Sequence, residues 1–265
     1  MKSIFTVSIF SALFILTAAQ LYSQSLEELM EQGDNYYKEF NHQSALETYL
    51  LADSLYPANW ELMWKISRAY VDITEKLPGE TGEEEEIKKA EFEKALFYAD
   101  SAVKLAPGEA ETYVRRAIAN GKIALFEGIF SAIGSVNDVK DDTEKAIELG
   151  NGGNYTQALA HYILGRSHLK VCEKAWLLRL PLGLGWGDMD DAIRELETAV
   201  KLRPNFRMFY LALAQAYYEE TEYEKAKENI LLLQSAPFVD EDDDNVLVEA
   251  EELLEKVNEE LEYGY

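Results

Sequence analysis

The feature that most constrains the fold is a triplet of residues that recurs with one fixed spacing, seven residues and then five. Three exact copies and one weaker copy are, in this order, Ala45, Ala52, Pro57; Ala95, Ala102, Pro107; Ala192, Ala199, Pro204; and Val139, Ala146, Asn151. A further copy begins at Ala226, 34 residues after Ala192, and reaches its proline at Pro237, one residue early. Such a period indicates a chain built from stacked copies of one structural unit.

Each copy of the triplet predicts a pair of antiparallel helices. Ala192, Leu196 and Ala199 lie at i, i+4 and i+7, so they share one narrow face of a helix. Pro204 ends that helix because its ring cannot continue the turn, and Phe206 begins the next one. Alanines at a helix crossing let two backbones approach closely, and the repeated alanines therefore predict tight packing within each pair.

The composition supports a helical protein with its own core and excludes several classes of partner. Of the 265 residues, 48% are hydrophobic, which is ample for a sizeable core. The formal net charge of −24 argues against binding of nucleic acid or of an anionic membrane through the general surface. The single cysteine, Cys172, excludes a disulfide framework within the chain.

With its triplets and the pairs Gly33/Tyr36 and Ala214/Tyr217, the chain resembles the tetratricopeptide repeat (TPR) family over nearly the whole mature sequence. The fold class that this predicts is all-α, a TPR-like α-α superhelix. It is a right-handed solenoid of antiparallel helix pairs with two insertions and a C-terminal capping helix.

The predicted organisation has three parts. Residues 1–25 form a signal peptide, and residues 26–237 form about five helix pairs, at 26–59, 60–109, 110–151, 155–204 and 206–237. Residues 238–265 form an acidic linker and the capping helix. The first insertion, in the second pair, is expected to place a loop at 77–82 before an extended helix. In the third pair, glycines at 121, 128 and 134 interrupt the pattern, and Thr143–Leu149 restores the second helix.

The N-terminal segment has the pattern of a secretory signal peptide. Lys2 supplies a positive charge, Ile4–Ala19 is an unbroken apolar run, and polar residues follow from Gln20. We expect a secreted or periplasmic protein without strong membrane binding elsewhere. The alternative is a membrane anchor that is not cleaved, because the apolar run has about the minimum length that spans a bilayer.

A narrower resemblance is to the regulator of microtubule dynamics family and its bacterial relatives. The stretches that carry it are residues 64–70, 93–107, 120–128, 139–150, 161–171 and 189–206. The chain departs from the family pattern at Asn151, where such repeats carry a proline. The resemblance implies a scaffold that binds other proteins, and the cellular role of the eukaryotic members is not carried over with it.

The sequence contains little that predicts catalysis. His161, His168 and Cys172 lie at i, i+7 and i+11 and could share a helix face, but they stand where core side chains pack in such repeats. We therefore predict packing in preference to a zinc site. No glycine-rich phosphate loop or nucleophile elbow is present. The prediction is that the protein is not an enzyme and has no cofactor and no bound metal.

The candidate binding site is the concave side of the superhelix, which the first helix of each pair lines. The repeat positions that face it predict an aromatic and basic groove, formed by Tyr37, Trp64, Arg68, Lys122, Tyr162, Arg166, Lys170, Gln215 and Tyr218. Our hypothesis is that the groove receives an extended peptide or ligand with a carboxylate that Arg68 and Arg166 orient. The alternative is that neighbouring acids pair with these arginines inside the solenoid.

A second candidate is the apolar insertion of the fourth pair, residues 177–186. It carries Leu180, Leu182, Leu184 and Trp186, which is unusually apolar for a loop and predicts that something covers it. It could form a lid over the groove, dock on a partner or a membrane surface, or fill a gap between irregular helices.

Together these patterns predict a non-enzymatic scaffold that binds a protein or peptide partner in a secreted or periplasmic compartment. The alternative is a component that binds a small apolar or carboxylate ligand beside a transporter. A groove open to peptides favours the scaffold, and a closed pocket favours the ligand-binding component.

Overall fold

The computed structural model describes residues 24–127 and 132–263. The predicted signal peptide therefore lies almost entirely outside the described residues, as does the predicted interruption at Gly128. Within the described ranges every regular element is a helix and no strand occurs. The α-helices are α1 (Leu26–Lys38), α2 (His42–Leu55), α3 (Trp60–Glu75), α4 (Gly82–Leu105), α5 (Ala110–Ala124), α6 (Ala132–Leu149), α7 (Gly153–Cys172), α8 (Trp176–Arg179), α9 (Met189–Leu202), α10 (Arg207–Glu219), α11 (Tyr223–Ser235) and α12 (Asp243–Tyr263).

The helices form two layers. The helices pair as α1/α2, α3/α4, α5/α6, α7/α9 and α10/α11. The first helix of each later pair also packs on the second helix of the pair before it. Helices α1, α3, α5, α7 and α10 form the inner layer, and α12 packs on α10 and α11. The predicted all-α superhelix with a C-terminal capping helix is confirmed.

The repeated alanines lie where the helices cross. Every alanine of the triplets is fully buried, namely Ala45, Ala52, Ala95, Ala102, Ala146, Ala192, Ala199 and Ala226. A glycine takes this role in α1, where a Cβ added to Gly33 would lie 2.3 Å from Cε1 of the Tyr49 ring. Small residues at these points bring the backbones together, and large neighbours such as Tyr49 fill the space beside them.

The extended helix of the second pair is confirmed. Helix α4 begins at Gly82, and Thr81 forms a capping box with Glu84, in which each side chain accepts the other residue's backbone N–H. Glu83, Glu84 and Glu85 occupy the first turn, where carboxylates stabilise the exposed N–H groups.

The third pair is more regular than the sequence predicts. Helix α6 begins at Ala132, eleven residues before the predicted start at Thr143. The helix tolerates Gly134 because it is anchored farther along by Val139 and Asp142, and both are buried against the rest of the protein. Asp142 accepts hydrogen bonds from the Arg116 Nε and Nη2 at 2.8 and 2.6 Å, which ties α6 to α5.

Asn151, where the family pattern has a proline, forms a link between neighbouring units. Its Oδ1 accepts a hydrogen bond from the Ala110 N–H at 2.8 Å, and its Nδ2 donates to the Gly108 carbonyl at 2.7 Å. These bonds satisfy backbone groups at the start of α5, which lacks a side-chain cap of its own.

Candidate functional site

The N-terminal half of the groove is an aromatic and basic cluster. The guanidinium carbon of Arg68 lies 3.5 Å from the centroid of the Tyr37 ring and 4.9 Å from that of the Trp64 ring. An Arg stacked on two aromatic faces is held by cation–π attraction and keeps much of its hydrogen-bonding capacity. The structure thus brings three of the predicted groove residues into direct contact.

A fourth member of this cluster, Arg115, was not predicted. Its guanidinium carbon lies 5.3 Å from the Trp64 ring centroid, and only 5% of the residue is exposed. Its Nη2 lies 2.6 Å from the Glu111 carboxylate, which also accepts a hydrogen bond from the Thr156 hydroxyl. The sequence offered little signal for Arg115, since it does not occupy a groove position of the repeat.

In this cluster, one buried donor of Arg68 and the indole donor of Trp64 have no partner. Arg68 Nε and Trp64 Nε1 are both inaccessible to solvent, and neither has a hydrogen-bond acceptor within the parts of the chain that the structure describes. Arg166 donates to the Gln215 side chain and not to a carboxylate. The positive charge of Arg68 contributes to lowering the pKa of Asp34 and of Glu111. The alternative, that neighbouring acids pair with these two arginines, stays a prediction. Buried donors without acceptors are costly, and an incoming acceptor would relieve that cost.

The other predicted groove residues lie farther along the inner layer. Arg166 Nη1 donates to Gln215 Oε1 at 3.3 Å, and Tyr162 packs its ring 4.9 Å from that of Phe209. Lys122 pairs with Glu75. Burial lowers the pKa of Lys122, and the nearby Arg166 acts in the same direction, whereas Asp72 and Asp242 oppose the shift.

The last two predicted residues, Lys170 and Tyr218, also lie outside the cluster. Lys170 pairs with Glu173 at 2.5 Å in an exposed contact one turn away on the chain. Tyr218 packs on Tyr223, with 5.5 Å between the ring centroids, at the turn into α11. Their role in binding stays a prediction.

The residues between α11 and α12 lie along this groove. We call residues 236–242 the groove segment. At its start, the Arg207 guanidinium donates to the Ala236 carbonyl at 2.8 Å. At its end, the Asp243 carboxylate accepts hydrogen bonds from the backbone N–H groups of Val239 and Asp240 at 2.7 and 2.9 Å. The predicted acidic linker thus has a defined conformation, and its residues from Asp243 onward belong to α12.

Glu241 of the groove segment joins the two ends of the superhelix. Its Oε1 lies 2.7 Å from His42 Nε2 in α2, a residue 199 positions earlier, and its other oxygen pairs with Lys76 after α3. Burial alone raises the pKa of Glu241, but the hydrogen bonds from Lys76 and His42 outweigh burial and hold the pKa below its usual range. The carboxylate that occupies the groove is therefore held by residues other than the predicted Arg68 and Arg166.

The same contact adjoins the aromatic cluster. Tyr37 donates its hydroxyl to Asp72 at 2.7 Å, and its ring lies 4.8 Å from that of His42. Burial and the neighbouring Asp72 raise the pKa of Tyr37 well above its usual range. Tyr37 therefore stays protonated and keeps its hydrogen bond to Asp72.

The remaining histidines have structural contacts. His161 Nδ1 lies 2.6 Å from the Glu195 carboxylate, and His168 Nδ1 accepts a hydrogen bond from the Asp188 N–H at 3.2 Å. Burial lowers the pKa of His168. Within residues 24–127 and 132–263, no group of three His, Cys, Asp or Glu side chains has the geometry of a metal site.

The apolar insertion lies at one edge of the fourth pair. It forms the short helix α8 and a 3₁₀ turn at Leu180–Leu182, after which Leu184 is buried. Trp186 Nε1 donates to Asn137 of the outer helix α6 at 2.9 Å, and the Trp186 ring meets the His168 ring edge-on at 5.1 Å. These contacts hold its C-terminal part against α6 and the end of α7, and they do not extend over the groove segment.

Two cavities of the described surface lie beside α1. One is lined by Glu28, Glu31, Gln32, Asn35, Tyr36 and Glu39, and the other includes Asp34, Lys38 and Trp60. Charged and amide side chains form most of both linings, although Leu26 and Met30 also line the second, so neither supports the alternative prediction of a small apolar ligand. Among the helices of the described residues, none combines the length and apolar character that crossing a membrane requires.

Comparison with known families places this chain among named relatives. The family model described as Regulator of microtubule dynamics protein 1-3 matches residues 29–258. Regulator of microtubule dynamics protein 3 of Rattus norvegicus is 27% identical over 87% of this chain and 49% of its own length. Protein 1 of Bos taurus is also 27% identical, over 92% of this chain and 75% of its own length. The chain therefore spans about half of the rat relative and three quarters of the bovine one.

Solved structures with the same fold have low sequence similarity to this chain. A thermophilic TPR protein of Thermus thermophilus superposes with a TM-score of 0.60 at 16% identity, over 87% of this chain and 99% of its own. Pseudomonas aeruginosa pilF superposes with a TM-score of 0.55 at 12% identity, over 91% of each chain. At these identities the comparison establishes the TPR-like fold.

Proposed function

The chain belongs to the family of Regulator of microtubule dynamics protein 1-3, and from that premise we propose that it is a non-enzymatic scaffold. Its concave groove binds an extended segment of a protein partner. TPR-like superhelices present a long curved surface built from many repeats, which suits an extended peptide. The three histidines have structural contacts with Glu241, Glu195 and the Asp188 N–H, and this supports a role without catalysis.

The observation that carries the proposal is the unpaired state of the groove's basic and aromatic donors. Arg68 and Arg166 have no carboxylate partner in the described chain, and Trp64 Nε1 is buried beside Arg68 without an acceptor. On a protein with a formal charge of −24, these cations form a local reversal of sign. A partner segment with carboxylates and backbone carbonyls supplies the acceptors that this surface lacks.

Reversing both unpaired charges tests the proposal. A partner identified by cross-linking in the host is expressed separately, and its affinity for the full chain is measured by titration. Each charged hydrogen bond contributes about 1.5–3 kcal/mol, so Arg68→Glu with Arg166→Glu is expected to weaken binding at least ~100-fold.

The matched control changes the same charge outside the groove. Lys104→Glu with Lys201→Glu alters two exposed lysines on the outer helices α4 and α9 and is expected to leave the affinity within about threefold. Equal affinities of the two double variants for the partner would contradict a binding role of the groove.

We also propose that residues 1–25 direct export of the protein. The support is the sequence pattern, in which Lys2 precedes the apolar run Ile4–Ala19 and polar residues follow. The intact mass of the protein purified from its own host is expected to lack about 23–25 N-terminal residues. A mass that includes them would instead support the uncleaved anchor.

A further inference from the structure

We infer that the groove segment is an internal ligand of the groove, and that the protein partner carries a segment of the same pattern that displaces it. The pattern is an apolar residue, one intervening residue and an acid, as in Val239, Asp240 and Glu241. The inference rests on the proposed function, because it names the chemistry of the segment that the same groove binds.

The apolar residue of this pattern packs on the centre of the inner layer. Val239 is half-buried and packs against the hydrophobic cluster that contains Val114 and Phe209, with Tyr162 at its margin. These residues come from α5, α10 and α7, so the cluster against which Val239 packs is built from three repeats of the superhelix. Asp240 and Glu241 lie in a turn that leads into α12, and this turn separates the side chain of Val239 from that of Glu241 by one residue.

The acidic residue of this pattern contacts the two N-terminal helix pairs. Glu241 contacts His42, of which 6% is exposed, and pairs with Lys76. The Asp72 carboxylate lies 3.9 Å from the other ring nitrogen of His42, so the histidine stands between two acids. A carboxylate two residues after an apolar anchor therefore finds a cation and a ring nitrogen already in place.

Two features of the groove segment contribute little to its hold on the groove. Lys76 has 57% of its side chain exposed, and ion pairs in that setting contribute little to stability. Asp240 is half-buried among acids, and burial together with Asp243, Glu241 and Asp72 raises its pKa. Arg68 stacks on the Tyr37 ring, which in turn packs on His42, and its Nε has no acceptor among the described residues, so a partner with further acceptors can make a contact that the internal ligand does not make.

A labelled peptide with the sequence of residues 236–245 provides the test. Its binding to the full chain is measured by fluorescence anisotropy. An attached segment competes at an effective concentration on the order of millimolar, so weak binding to the unchanged protein is expected. The variant Val239→Ser with Glu241→Gln removes both anchors of the internal segment and is expected to bind the peptide at least ~10-fold more tightly.

Two controls separate occupancy of the groove from a general effect. Val248→Ser with Glu249→Gln makes the same chemical changes on the exposed face of α12 and is expected to bind like the unchanged protein. A peptide that itself carries the serine and glutamine changes is expected to bind at least ~10-fold more weakly to the segment variant. Glu241→Gln alone is the milder variant to be used if thermal melting shows that the double variant is not folded.

The outcomes distinguish this inference from the proposed function. Equal peptide binding by the unchanged protein and the segment variant would overturn the internal ligand and leave the groove as a peptide site. A third outcome is that neither the unchanged protein nor the segment variant binds the peptide, while charge reversal at Arg68 and Arg166 still abolishes partner binding. That outcome would contradict the inferred pattern of the partner segment and leave the proposed function standing. Failure of the charge-reversal experiment is the separate result that contradicts the proposed function.

Discussion

Replacing Arg115 by methionine is expected to lower the free energy of unfolding by about 3–5 kcal/mol, because the change leaves the buried Glu111 carboxylate without its counter-charge. Arg115 and Glu111 are 5% and 9% exposed, and the guanidinium lies 2.6 Å from the carboxylate. Methionine keeps much of the side-chain volume, so the loss reports the charge and not a cavity. Urea denaturation of the full chain measures it.

Two further variants identify the cause. The double variant Glu111→Gln with Arg115→Met removes both charges and is expected to recover at least ~2 kcal/mol of the loss. Arg194→Met breaks an ion pair of a side chain that is 63% exposed, and it is expected to cost less than ~1 kcal/mol. If Arg115→Met lowered the free energy of unfolding no more than Arg194→Met does, the buried ion pair would not stabilise the protein more than an exposed one.

The pH dependence of this loss follows from the carboxylate. Burial acts to raise the pKa of Glu111, but Arg115 and the hydrogen bond from Thr156 outweigh it, and the pKa is lowered. A lowered pKa in the folded state contributes stability that is present above the ordinary pKa of glutamate. The contribution is lost as the pH falls through the lowered pKa, so the difference between the unchanged protein and Arg115→Met is expected to shrink on acidification.

Replacing Gly165 by alanine is expected to lower the free energy of unfolding by about 2–3 kcal/mol, although alanine is the better helix former. An added Cβ would lie 2.7 Å from Leu196 Cγ and 3.0 Å from the Ala192 carbonyl oxygen, both in the partner helix α9. Overpacking of this kind costs about 1–3 kcal/mol, and more where a backbone atom must move. Thermal and urea denaturation of the two proteins measure the difference.

Gly121 is the matched control for this substitution. It also lies inside an inner helix, but an added Cβ would meet only Val139 Cγ2, at an ordinary contact distance of 3.7 Å. Gly121→Ala is therefore expected to stabilise the protein by about 0.5–1 kcal/mol, since it removes the entropic cost of a helical glycine. Losses of similar size at both positions would show that the helix crossing at Gly165 is not the cause.

The sequence predicts the helix pairs well because the signals for them are local. The alanine triplets, the proline stops and the acidic start of α4 each act within a few turns of one helix, and the structure agrees with them. The early start of α6 was missed because glycines at 121 and 134 suggest an interruption. Burial of Val139 and the Asp142 contact with Arg116 outweigh the low helix propensity of Gly134, and this depends on a neighbouring helix.

The groove was predicted only in part, because repeat positions show which side chains face inward but not which of them meet. Repeat positions identify which side chains face inward, so Tyr37, Trp64 and Arg68 were assigned from the sequence and meet in the structure. The same positions do not distinguish Lys170, which pairs with Glu173 in an exposed contact. They also omit Arg115, because its path into the cluster depends on the angle between α3 and α5.

The sequence alone therefore determined the unit of the fold, the antiparallel helix pair, because its signals lie in the spacing of residues along one or two helices. The number of copies and the sign of the charge in the groove stay predictions. Only the tertiary structure decided what lies in the groove. Glu241 meets His42 across 199 residues because small rotations between successive repeats add up along the superhelix and bring its two ends together. The repeat spacing in the sequence does not specify the sizes of these rotations.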